Sequence, residues 1–206
     1  ITEGNVIMST RETGLDPEKC IHWKDEELLI FAKSLRKISK PITIVLNKTD
    51  IAPPENIKAL KEKLGEVYTV SAEAELVLRK ASSAGLVKYV PSESSFEITG
   101  NLNDKQKEAL NRIKSFMEKN DGTGVQKTIN QVVLNILQKI VVYPVEDEAH
   151  MKDGKGNVLP DAYLMDMGST PRDLAFGVHT DIGKNFLYAV NARTKRRIKD
   201  DYELQN

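Results

Sequence analysis

The stretch Ile42-Thr43-Ile44-Val45-Leu46, followed without a break by Asn47-Lys48-Thr49-Asp50, decides the fold of this chain. The first five residues are apolar or β-branched and follow a proline, which predicts a short strand buried on both faces of a parallel sheet. The next four are polar and open a loop that runs to Pro54. Open α/β sheets bind ligands outside the carboxyl ends of their strands, so this position predicts a binding loop.

The segments around this loop follow the order of a βαβ unit. A helix is predicted from Glu55 to Leu64, and it is followed by a second strand over Val67–Val70 and by the dipeptide Ser71-Ala72. Upstream, apolar residues at three- and four-residue spacing predict an amphipathic helix over 25–37. The order strand, loop, helix, strand predicts that both polar loops lie at one edge of the same sheet.

Beyond Ala72 the pattern becomes helical, and near Ile140 the composition changes. Helices are predicted over 73–84, 104–119 and 125–140, and they form a helical connector. A further helix starts at Thr170-Pro171, where a threonine cap precedes a proline in the first turn. This helix is expected to extend to Val178. Strands are predicted before it over 141–145 and 162–165, and after it over 186–191 and 202–204. We therefore predict an α/β domain over residues 1–139 and a small α+β domain over 140–206.

The loop residues fit the recognition of one nucleobase edge. A carboxylate at Asp50 can accept hydrogen bonds from N1 and N2 of guanine, whereas adenine has an acceptor at N1 and no amino group at C2. Asn47 is expected to bridge the purine N7 side, and the aliphatic stem of Lys48 to cover one face of the base. Ser71-Ala72 is expected to bring a backbone amide to O6. We predict a guanine site; the alternative is an ordinary polar surface loop.

No phosphate-binding motif accompanies this loop. The pattern Gly-x-x-x-x-Gly-Lys-Ser/Thr occurs nowhere in the 206 residues, and phosphoryl transfer needs that cradle together with a magnesium ligand. The chain alone is therefore not expected to hydrolyse GTP. His22, His150 and His179 lack metal-ligand spacing, and Cys20 is expected to be structural, so neither catalytic nor metal-binding residues are predicted.

Composition indicates the cellular location and the partners expected for the chain. The 30 Lys and Arg residues equal the 30 Asp and Glu residues in number. The chain therefore has no net charge that would favour binding to nucleic acid or to a membrane. A single cysteine suits a reducing cytoplasm, and no apolar run approaches the ~20 residues of a membrane span. We expect a cytoplasmic protein with no membrane partner. Because the sequence after Ile1 is typical of the middle of a domain, we also expect a fragment of a longer protein.

A local basic cluster near the C-terminus is a second candidate site. It is interleaved with the aromatic residues Phe186, Tyr188 and Tyr202, a combination that suits binding to RNA phosphates. The alternative is a solvated hairpin whose aromatic residues belong to the core. The basic residues are Lys184, Arg193, Lys195, Arg196, Arg197 and Lys199.

With these residues in view, the chain resembles the C-terminal part of the Obg-like, YchF-type GTPases of the archaeal branch, whose last module is a β-grasp TGS domain. The resemblance spans nearly the whole chain and implies a partial G domain of the P-loop NTPase type, a helical connector and a TGS-like domain. Better-studied YchF members resemble ATPases because their specificity loop lacks the aspartate, so Asp50 favours GTP here. The resemblance is carried by Asn47-Lys48-Thr49-Asp50, Ser71-Ala72, Val142-Tyr143-Pro144-Val145-Glu146-Asp147-Glu148 and His179-Thr180-Asp181-Ile182-Gly183-Lys184.

The resemblance also implies ligands and partners. We expect GTP or GDP, Mg²⁺ only in the complete protein, hydrolysis by motifs that precede Ile1, and a final TGS strand beyond Asn206. The predicted function is a guanine-nucleotide-binding fragment that carries the base-specificity loop and TGS module of a translation-associated GTPase. The alternative is a module that binds RNA or the ribosome, for which nucleotide is incidental. A third hypothesis is a structural interaction protein with a relict G domain.

Overall fold

The computed structural model describes residues 1–205, which divide into two compact units, one over residues 1–128 and one from Ile129 onward. The helices are α1 (Glu3–Thr13), α2 (Asp25–Ser39), α3 (Pro54–Leu64), α4 (Ala72–Ser83), α5 (Asp104–Asn120), α6 (Val125–Asn130), α7 (Pro171–Val178) and α8 (Thr180–Lys184). The strands are β1 (Val45–Leu46), β2 (Tyr68–Thr69), β3 (Val87–Lys88), β4 (Glu97–Ile98), β5 (Lys139–Val142), β6 (Tyr163–Asp166), β7 (Ala189–Asn191) and β8 (Arg196–Ile198). A 3-10 helix covers Pro17–His22, and a π-helical segment covers Gln131–Ile136.

Helices α1 and α2 pack against each other at the start of the first unit. No element is predicted from sequence for residues 1–24, because the few apolar residues of α1 follow no clear period. The helix is stabilised at its start, where the Thr2 hydroxyl accepts the Asn5 amide and the Asn5 side chain accepts the Thr2 amide. Toward α2, Glu12 accepts a 2.5 Å hydrogen bond from the Ser34 hydroxyl. The packing of α1 on α2 therefore includes polar contacts, which the sequence of α1, without a periodic apolar stripe, does not reveal.

The predicted strand, helix, strand unit is confirmed. Strands β1 and β2 are parallel, with Val45 opposite Tyr68, and α3 connects them. The sequence predicts a strand over 42–46 with both faces buried, and this prediction is wrong in its burial, since Ile44 and Val45 are 38% and 41% exposed. Among the described residues β1 pairs with β2 only, so its other edge has no strand beside it.

The core of the first unit lies between α4, β3 and α5. Both helices are predicted from their apolar periods and are confirmed: α4 begins and ends one residue earlier than predicted, and α5 ends one residue later. Strand β3 pairs with β4 in the antiparallel sense. The packing fixes α4, the helix that begins directly after β2. The buried core residues are Leu78, Val87, Tyr89, Leu110 and Met117.

The connector helix predicted over 125–140 is shorter than expected. Helix α6 ends at Asn130, the chain continues as the π-helical segment to Ile136, and Ile140 already belongs to β5. The apolar residues are predicted to face inward, yet Ile129 and Ile136 are 47% and 37% exposed. Bonding between residues five apart rotates side chains away from an α-helical stripe, so a period of 3.6 does not describe this segment.

The second unit begins with strands β5 and β6. They are antiparallel, with Ile140 opposite Met165, as their apolar runs on either side of a turn-rich segment predict. The helix predicted from Thr170 is confirmed as α7. Its start is a reciprocal capping box in which the Thr170 hydroxyl accepts the Asp173 amide and the Asp173 carboxylate accepts the Thr170 amide.

Helix α8 and the β7–β8 hairpin complete the second unit. The buried Gly183 of α8 packs so closely on Phe176 that a Cβ would overlap the aromatic ring, which requires glycine there. The sequence predicts a short strand over 202–204, and this is wrong. The Leu204 amide makes one hydrogen bond, of 2.9 Å, to the Ser169 carbonyl, and that partner lies in a loop rather than in a strand.

A glycine-containing turn over 121–124 lies against the end of β2. Gly124 has φ +80°, and a Cβ on it would overlap the Thr69 carbonyl oxygen. The Lys127 ammonium contacts the Asp121 carboxylate across the turn. Gly124 is therefore needed both for its backbone conformation and for the close approach of two backbone segments.

Gly124→Ala should destabilise the first unit more than a positive φ alone explains. Gly14→Ala is the matched control, because Gly14 has φ +69° and no atom lies within 4 Å of a Cβ placed there. The control should lower the free energy of unfolding by about 1–2 kcal/mol. Gly124→Ala should lower it by a further 1–3 kcal/mol, roughly the cost of overpacking. Chemical denaturation of both variants measures the difference. Equal losses would show that contact with Thr69 does not constrain the turn.

Candidate functional site

The loop after β1 is anchored to the end of β2. Thr49 donates to the Val70 carbonyl oxygen from its amide at 3.2 Å and from its hydroxyl at 2.9 Å. Lys48 has a left-handed backbone with φ 63°, and its carbonyl accepts the amides of Ile51 at 3.2 Å and Ala52 at 3.0 Å. A non-glycine residue adopts this conformation at a cost of about 1–2 kcal/mol, so the surrounding bonds hold it there. Hydrogen bonds therefore fix the loop at Thr49 and at the turn that begins with Lys48.

The loop after β2 leads directly into α4. Ser71 is fully buried, and its hydroxyl accepts the Ala74 amide at 3.2 Å, which caps the helix. Ala72 is the first helical residue, so its N–H has no acceptor within the helix. It donates instead to Asn47 Oδ1 at 3.1 Å. The structure thus brings Asn47 and Ala72, predicted from two separate strand ends, into direct contact.

The other predicted residues of this site lie in the same loop. Lys48 and Asp50 are exposed, and within residues 1–205 the Asp50 carboxylate has no hydrogen-bond or ion-pair partner. Asn47 Oδ1 accepts the Lys48 amide at 2.7 Å in addition to the Ala72 amide. The oxygen of Asn47 is therefore used inside the protein, and its NH₂ group remains as a donor for a ligand.

The Ala72 amide is already engaged at the position where contact with a base O6 is predicted. A base oxygen there has to share this N–H with Asn47 Oδ1 in a three-centre bond or replace that oxygen as the acceptor. The N–H lies at the start of a 12-residue helix, where the helix dipole favours an electronegative acceptor. The geometry therefore suits a carbonyl oxygen better than an amino group.

Behind this edge, a buried carboxylate joins α4 to the glycine-containing turn. Glu75 is 5% exposed, and its Oε2 accepts the Thr123 hydroxyl at 2.5 Å and the Tyr89 hydroxyl at 2.8 Å. Its Oε1 accepts Arg79 Nε at 2.6 Å. The Thr123 carbonyl in turn accepts the Ser71 amide at 2.9 Å. The Glu75 side chain thus connects the loop after β2, the glycine-containing turn and the core.

In this cluster Glu75 is ionised and Tyr89 keeps its proton. Burial raises the pKa of Glu75, but hydrogen bonds from Thr123, Arg79 and Tyr89 and the Arg79 charge outweigh burial, so the pKa is lowered overall. Burial and the hydrogen bond to Glu75 raise the pKa of Tyr89 to about 12. Near neutral pH the cluster therefore holds a carboxylate that accepts and a phenol that donates.

The basic cluster of the second unit is spread over a helix end and a hairpin. Strand β8 carries Arg196 and Arg197 in succession, so their side chains point to opposite faces of the hairpin. Arg197 Cζ lies 4.4 Å from the ring centroid of Tyr188, which is 47% exposed and so is not a core residue. The Lys195 ammonium contacts the Glu148 carbonyl. All six basic residues are exposed: Lys184 in α8, Arg193 and Lys195 in the turn, Arg196 and Arg197 in β8, and Lys199 after it.

The remaining candidate residues have local roles. His150 Nδ1 lies 2.7 Å from Asp147 Oδ2, and His179 Nδ1 accepts the Asp181 amide at 3.2 Å at the start of α8. Cys20 is exposed. Residues 1–205 contain no group of three or more His, Cys, Asp and Glu side chains that could hold a metal ion. In the same residues no helix combines the length and the apolar character needed to cross a membrane.

Four residues that organise this site escape detection from sequence: Thr49, Glu75, Thr123 and Gly124. Two local signals could have identified Gly124, with Thr123 beside it, and Glu75, whereas no local signal marks the role of Thr49. Paired glycines in a turn can mark a close backbone approach as well as a chain reversal. Glu75 also lies three residues before the buried Leu78, so an α-helix places this carboxylate on the buried face.

Comparison with known proteins identifies both parts of the chain. The family model for the Obg-like GTPase YGR210-like, G4 motif-containing domain matches residues 45–147, half of the chain, and includes both loops of the candidate site. The chain belongs to this family of Obg-like GTPases. The TGS domain model matches residues 153–206. The predicted resemblance to the C-terminal part of an Obg-like GTPase with a TGS domain is confirmed, and so is the predicted fold class.

Two relatives of this Obg-like chain extend the comparison. The chain is 46% identical over 211 residues to an uncharacterized GTP-binding protein from Methanocaldococcus jannaschii, a match that covers 100% of this chain and 52% of the relative. A crystal structure of a GTP binding protein from Pyrococcus horikoshii OT3 matches with a TM-score of 0.72 and 47% identity, covering 100% of this chain and 54% of that one. The chain thus spans about half the length of these relatives.

Tyr89 should make the stability of the first unit sensitive to alkaline pH. Its pKa in the folded state is raised from 10 to about 12, so its contribution is complete below pH 10 and is lost as the pH rises through about 12. We expect this residue to lower the free energy of unfolding by roughly 2–3 kcal/mol over that range. Tyr89→Phe should lack this part of the alkaline loss in denaturation curves.

Tyr143→Phe is the matched control for this experiment. Tyr143 is an exposed tyrosine of the second unit, so its replacement should leave the alkaline stability curve of the first unit as in the wild type. An alkaline loss in Tyr89→Phe equal to that of the wild type would contradict the raised pKa of Tyr89, which burial and the hydrogen bond to Glu75 cause.

Proposed function

We propose that this chain supplies the guanine-recognition part of a GTP-binding protein. The observation that carries the proposal is the 3.1 Å hydrogen bond from the Ala72 amide to Asn47 Oδ1. It joins the two loops that leave the carboxyl ends of paired parallel strands, the edge at which open α/β sheets bind ligands. Both relatives described above are named as GTP-binding proteins, which supports the same assignment.

The donors at this edge favour guanine over adenine. Asn47 uses its oxygen for two backbone amides of the protein and keeps its NH₂ group for the purine. Guanine has two adjacent acceptors, N7 and O6, whereas adenine has a donating amino group in place of O6. A site built from the Asn47 NH₂ and the Ala72 N–H therefore accommodates guanine, and adenine would place donor against donor.

Asp50 supplies the complementary acceptor. Its carboxylate is exposed and has no partner within the described residues, so it is available to accept from N1 and N2 of guanine. These bonds would be charge-assisted and stronger than neutral ones. Lys48 precedes the acceptor in the left-handed conformation, and its aliphatic stem is proposed to cover one face of the base. Donors that face N7 and O6 and an acceptor that faces N1 and N2 then together select guanine.

Hydrolysis and a translation-associated role are proposals for the complete protein. The chain has no Gly-x-x-x-x-Gly-Lys-Ser/Thr motif, and the described residues contain no donor set that fits a metal ion. No step of phosphoryl transfer is therefore assigned to residues of this chain. A cytoplasmic setting, expected from the single cysteine, belongs to the same proposal.

Asp50→Asn should change which base is preferred. An amide can donate to the C2 carbonyl of xanthine while accepting from N1–H, but it cannot accept both N–H groups of guanine. We expect GDP to bind roughly ten- to a hundredfold more weakly, the range for loss of a hydrogen bond to a charged group, and XDP to bind more tightly. Titration of the chain with GDP, XDP and ADP, followed by NMR at the amides of Asn47 and Ala72, measures these affinities.

The control for this variant is Asp161→Asn. Asp161 is an exposed aspartate of the second unit, so its replacement removes the same charge without touching the loop. It should leave the order of GDP, XDP and ADP unchanged. If Asp50→Asn retained the wild-type order as well, the assigned role of Asp50 would be wrong.

One observation favours a second function, the binding of single-stranded RNA by the C-terminal hairpin. Arg197 lies over the ring of Tyr188, and that tyrosine is about half exposed. An aromatic ring beside cationic side chains suits base stacking and phosphate contact together. The opposite orientations of Arg196 and Arg197 limit this proposal, because one strand of RNA along one face reaches only part of the cluster.

The double variant Arg196→Gln/Arg197→Gln tests the RNA proposal. Because only Arg197 lies over Tyr188, the slope of log K against log salt for oligouridylate should decrease in magnitude by about 0.7, the value for one phosphate contact. Fluorescence anisotropy over a series of salt concentrations measures the slope. Arg112→Gln, on the exposed face of α5, removes a comparable charge from the first unit and should have no effect. Equal slopes for wild type and double variant would exclude this contact.

A further inference from the structure

A chain of hydrogen bonds links a buried carboxylate to the proposed base site. Glu75 Oε2 accepts the Thr123 hydroxyl at 2.5 Å, and the Thr123 carbonyl accepts the Ser71 amide at 2.9 Å. The next residue, Ala72, donates to Asn47. Glu75, Thr123 and Ser71 are only 5%, 3% and 0% exposed. The chain of bonds therefore runs through the interior and ends at the edge of the sheet.

We infer that Glu75 and Thr123 are positioning residues that aim the Ala72 N–H at the O6 of guanine. This inference rests on the proposed guanine-binding function and adds determinants of its specificity. A hydrogen bond weakens steeply as its angle departs from linearity, so this N–H contributes to recognition only if its direction is fixed. Asn47 holds it from the ligand side, and the Thr123 carbonyl holds the preceding peptide group from the interior.

The negative charge of Glu75 is what makes it an effective anchor. The carboxylate accepts from Thr123, Tyr89 and Arg79, and hydrogen bonds to an ionised acceptor are roughly twice as strong as neutral ones. A glutamine at this position has the same shape but has an NH₂ donor in place of one oxygen. It cannot accept from all three donors: with its oxygen in the place of Oε2, its NH₂ group opposes Arg79 Nε, and the bonds from Thr123 and Tyr89 lose the charge of their acceptor, so Thr123 is held less firmly.

Gly124 and helix α4 hold the two ends of this arrangement in place. A Cβ on Gly124 would overlap the Thr69 carbonyl oxygen, so only glycine allows the turn to lie this close to the end of β2, where the Thr123 carbonyl accepts the Ser71 amide. Glu75 lies in the first turn of α4, the turn that also begins with Ala72. A displacement at Glu75 is therefore transmitted to Ala72 over a single helical turn.

A purely structural role for Glu75 predicts a different outcome from a positioning role. The ring of Tyr89 belongs to the core formed with Leu78 and Met117, so loss of the carboxylate lowers stability in either case. Only the positioning role changes how strongly O6 is recognised relative to the rest of the base. The test must therefore compare two edges of guanine in the same variant.

Two analogues of GDP separate these edges. In 6-thio-GDP a sulfur, which is a weak acceptor, replaces O6, and IDP lacks the 2-amino group that faces Asp50. The variants Glu75→Gln and Thr123→Val, made in the complete chain, should each bind GDP about fivefold more weakly than the wild type, the effect of losing roughly one neutral hydrogen bond. The ratio of GDP to 6-thio-GDP affinity should fall by a similar factor, while the ratio of GDP to IDP affinity should stay constant.

Glu73→Gln is the matched control. Glu73 lies in the same first turn of α4 and is exposed, so the substitution removes an equal charge near the helix start without touching Thr123. Both affinity ratios should remain at their wild-type values. Equal changes in Glu73→Gln and Glu75→Gln would assign the effect to helix charge and overturn the inference.

Isothermal titration with the three nucleotides, run beside thermal unfolding of each variant, decides between the outcomes. A lower melting temperature with both affinity ratios unchanged would leave Glu75 a structural role only and overturn the inference. If Glu75→Gln does not fold, Thr123→Val, which removes one hydroxyl and keeps the carbonyl, decides alone. If the wild-type chain binds GDP no better than ADP, the proposed function fails and the inference fails with it.

Discussion

The parallel pairing of β1 with β2 is the constraint on which the candidate site depends. Each strand contributes two residues to the ladder, with Val45 opposite Tyr68 and Leu46 opposite Thr69. Because the strands are parallel, both chains leave the sheet at the same edge, and the loop after β1 meets the start of α4. A shift of one residue in this register would turn every side chain of the shifted strand to the other face. The contact between Asn47 and Ala72 would then be lost.

A buried charge stabilises the region behind this edge. Taking a carboxylate out of water costs several kcal/mol unless its lone pairs are satisfied, and Glu75 meets two hydroxyls and the guanidinium of Arg79. Arg79 is itself half exposed, so its own charge remains partly solvated. The arrangement fixes the carboxylate in the interior and, through Thr123, the peptide that precedes the first helical residue. Stability and ligand geometry thus depend on the same hydrogen bonds.

Local sequence signals predict the elements that depend on few distant contacts. The apolar periods predict α2, α4 and α5, and the Thr170 cap with Pro171 predicts the start of α7, because each signal acts within about one helical turn. The same reasoning fails for the polar helix α1, which has no stripe, and for the segment after α6, where π-helical bonding replaces the expected period. It also fails for the burial of β1, because burial depends on how many strands pair beside it.

Residue patterns alone predict the order of strand, polar loop, helix and strand, and they group five residues into one candidate site: Asn47, Lys48, Asp50, Ser71 and Ala72. These assignments follow from adjacency, since a loop directly after a strand of an α/β sheet must lie at the edge of the sheet where that strand ends. Only the tertiary structure decided that Ala72 donates to Asn47 and that Thr123, 48 residues from Glu75, completes the interior bonds. The physical reason is that a hydrogen bond between distant residues depends on packing geometry, which no local pattern of residue types records.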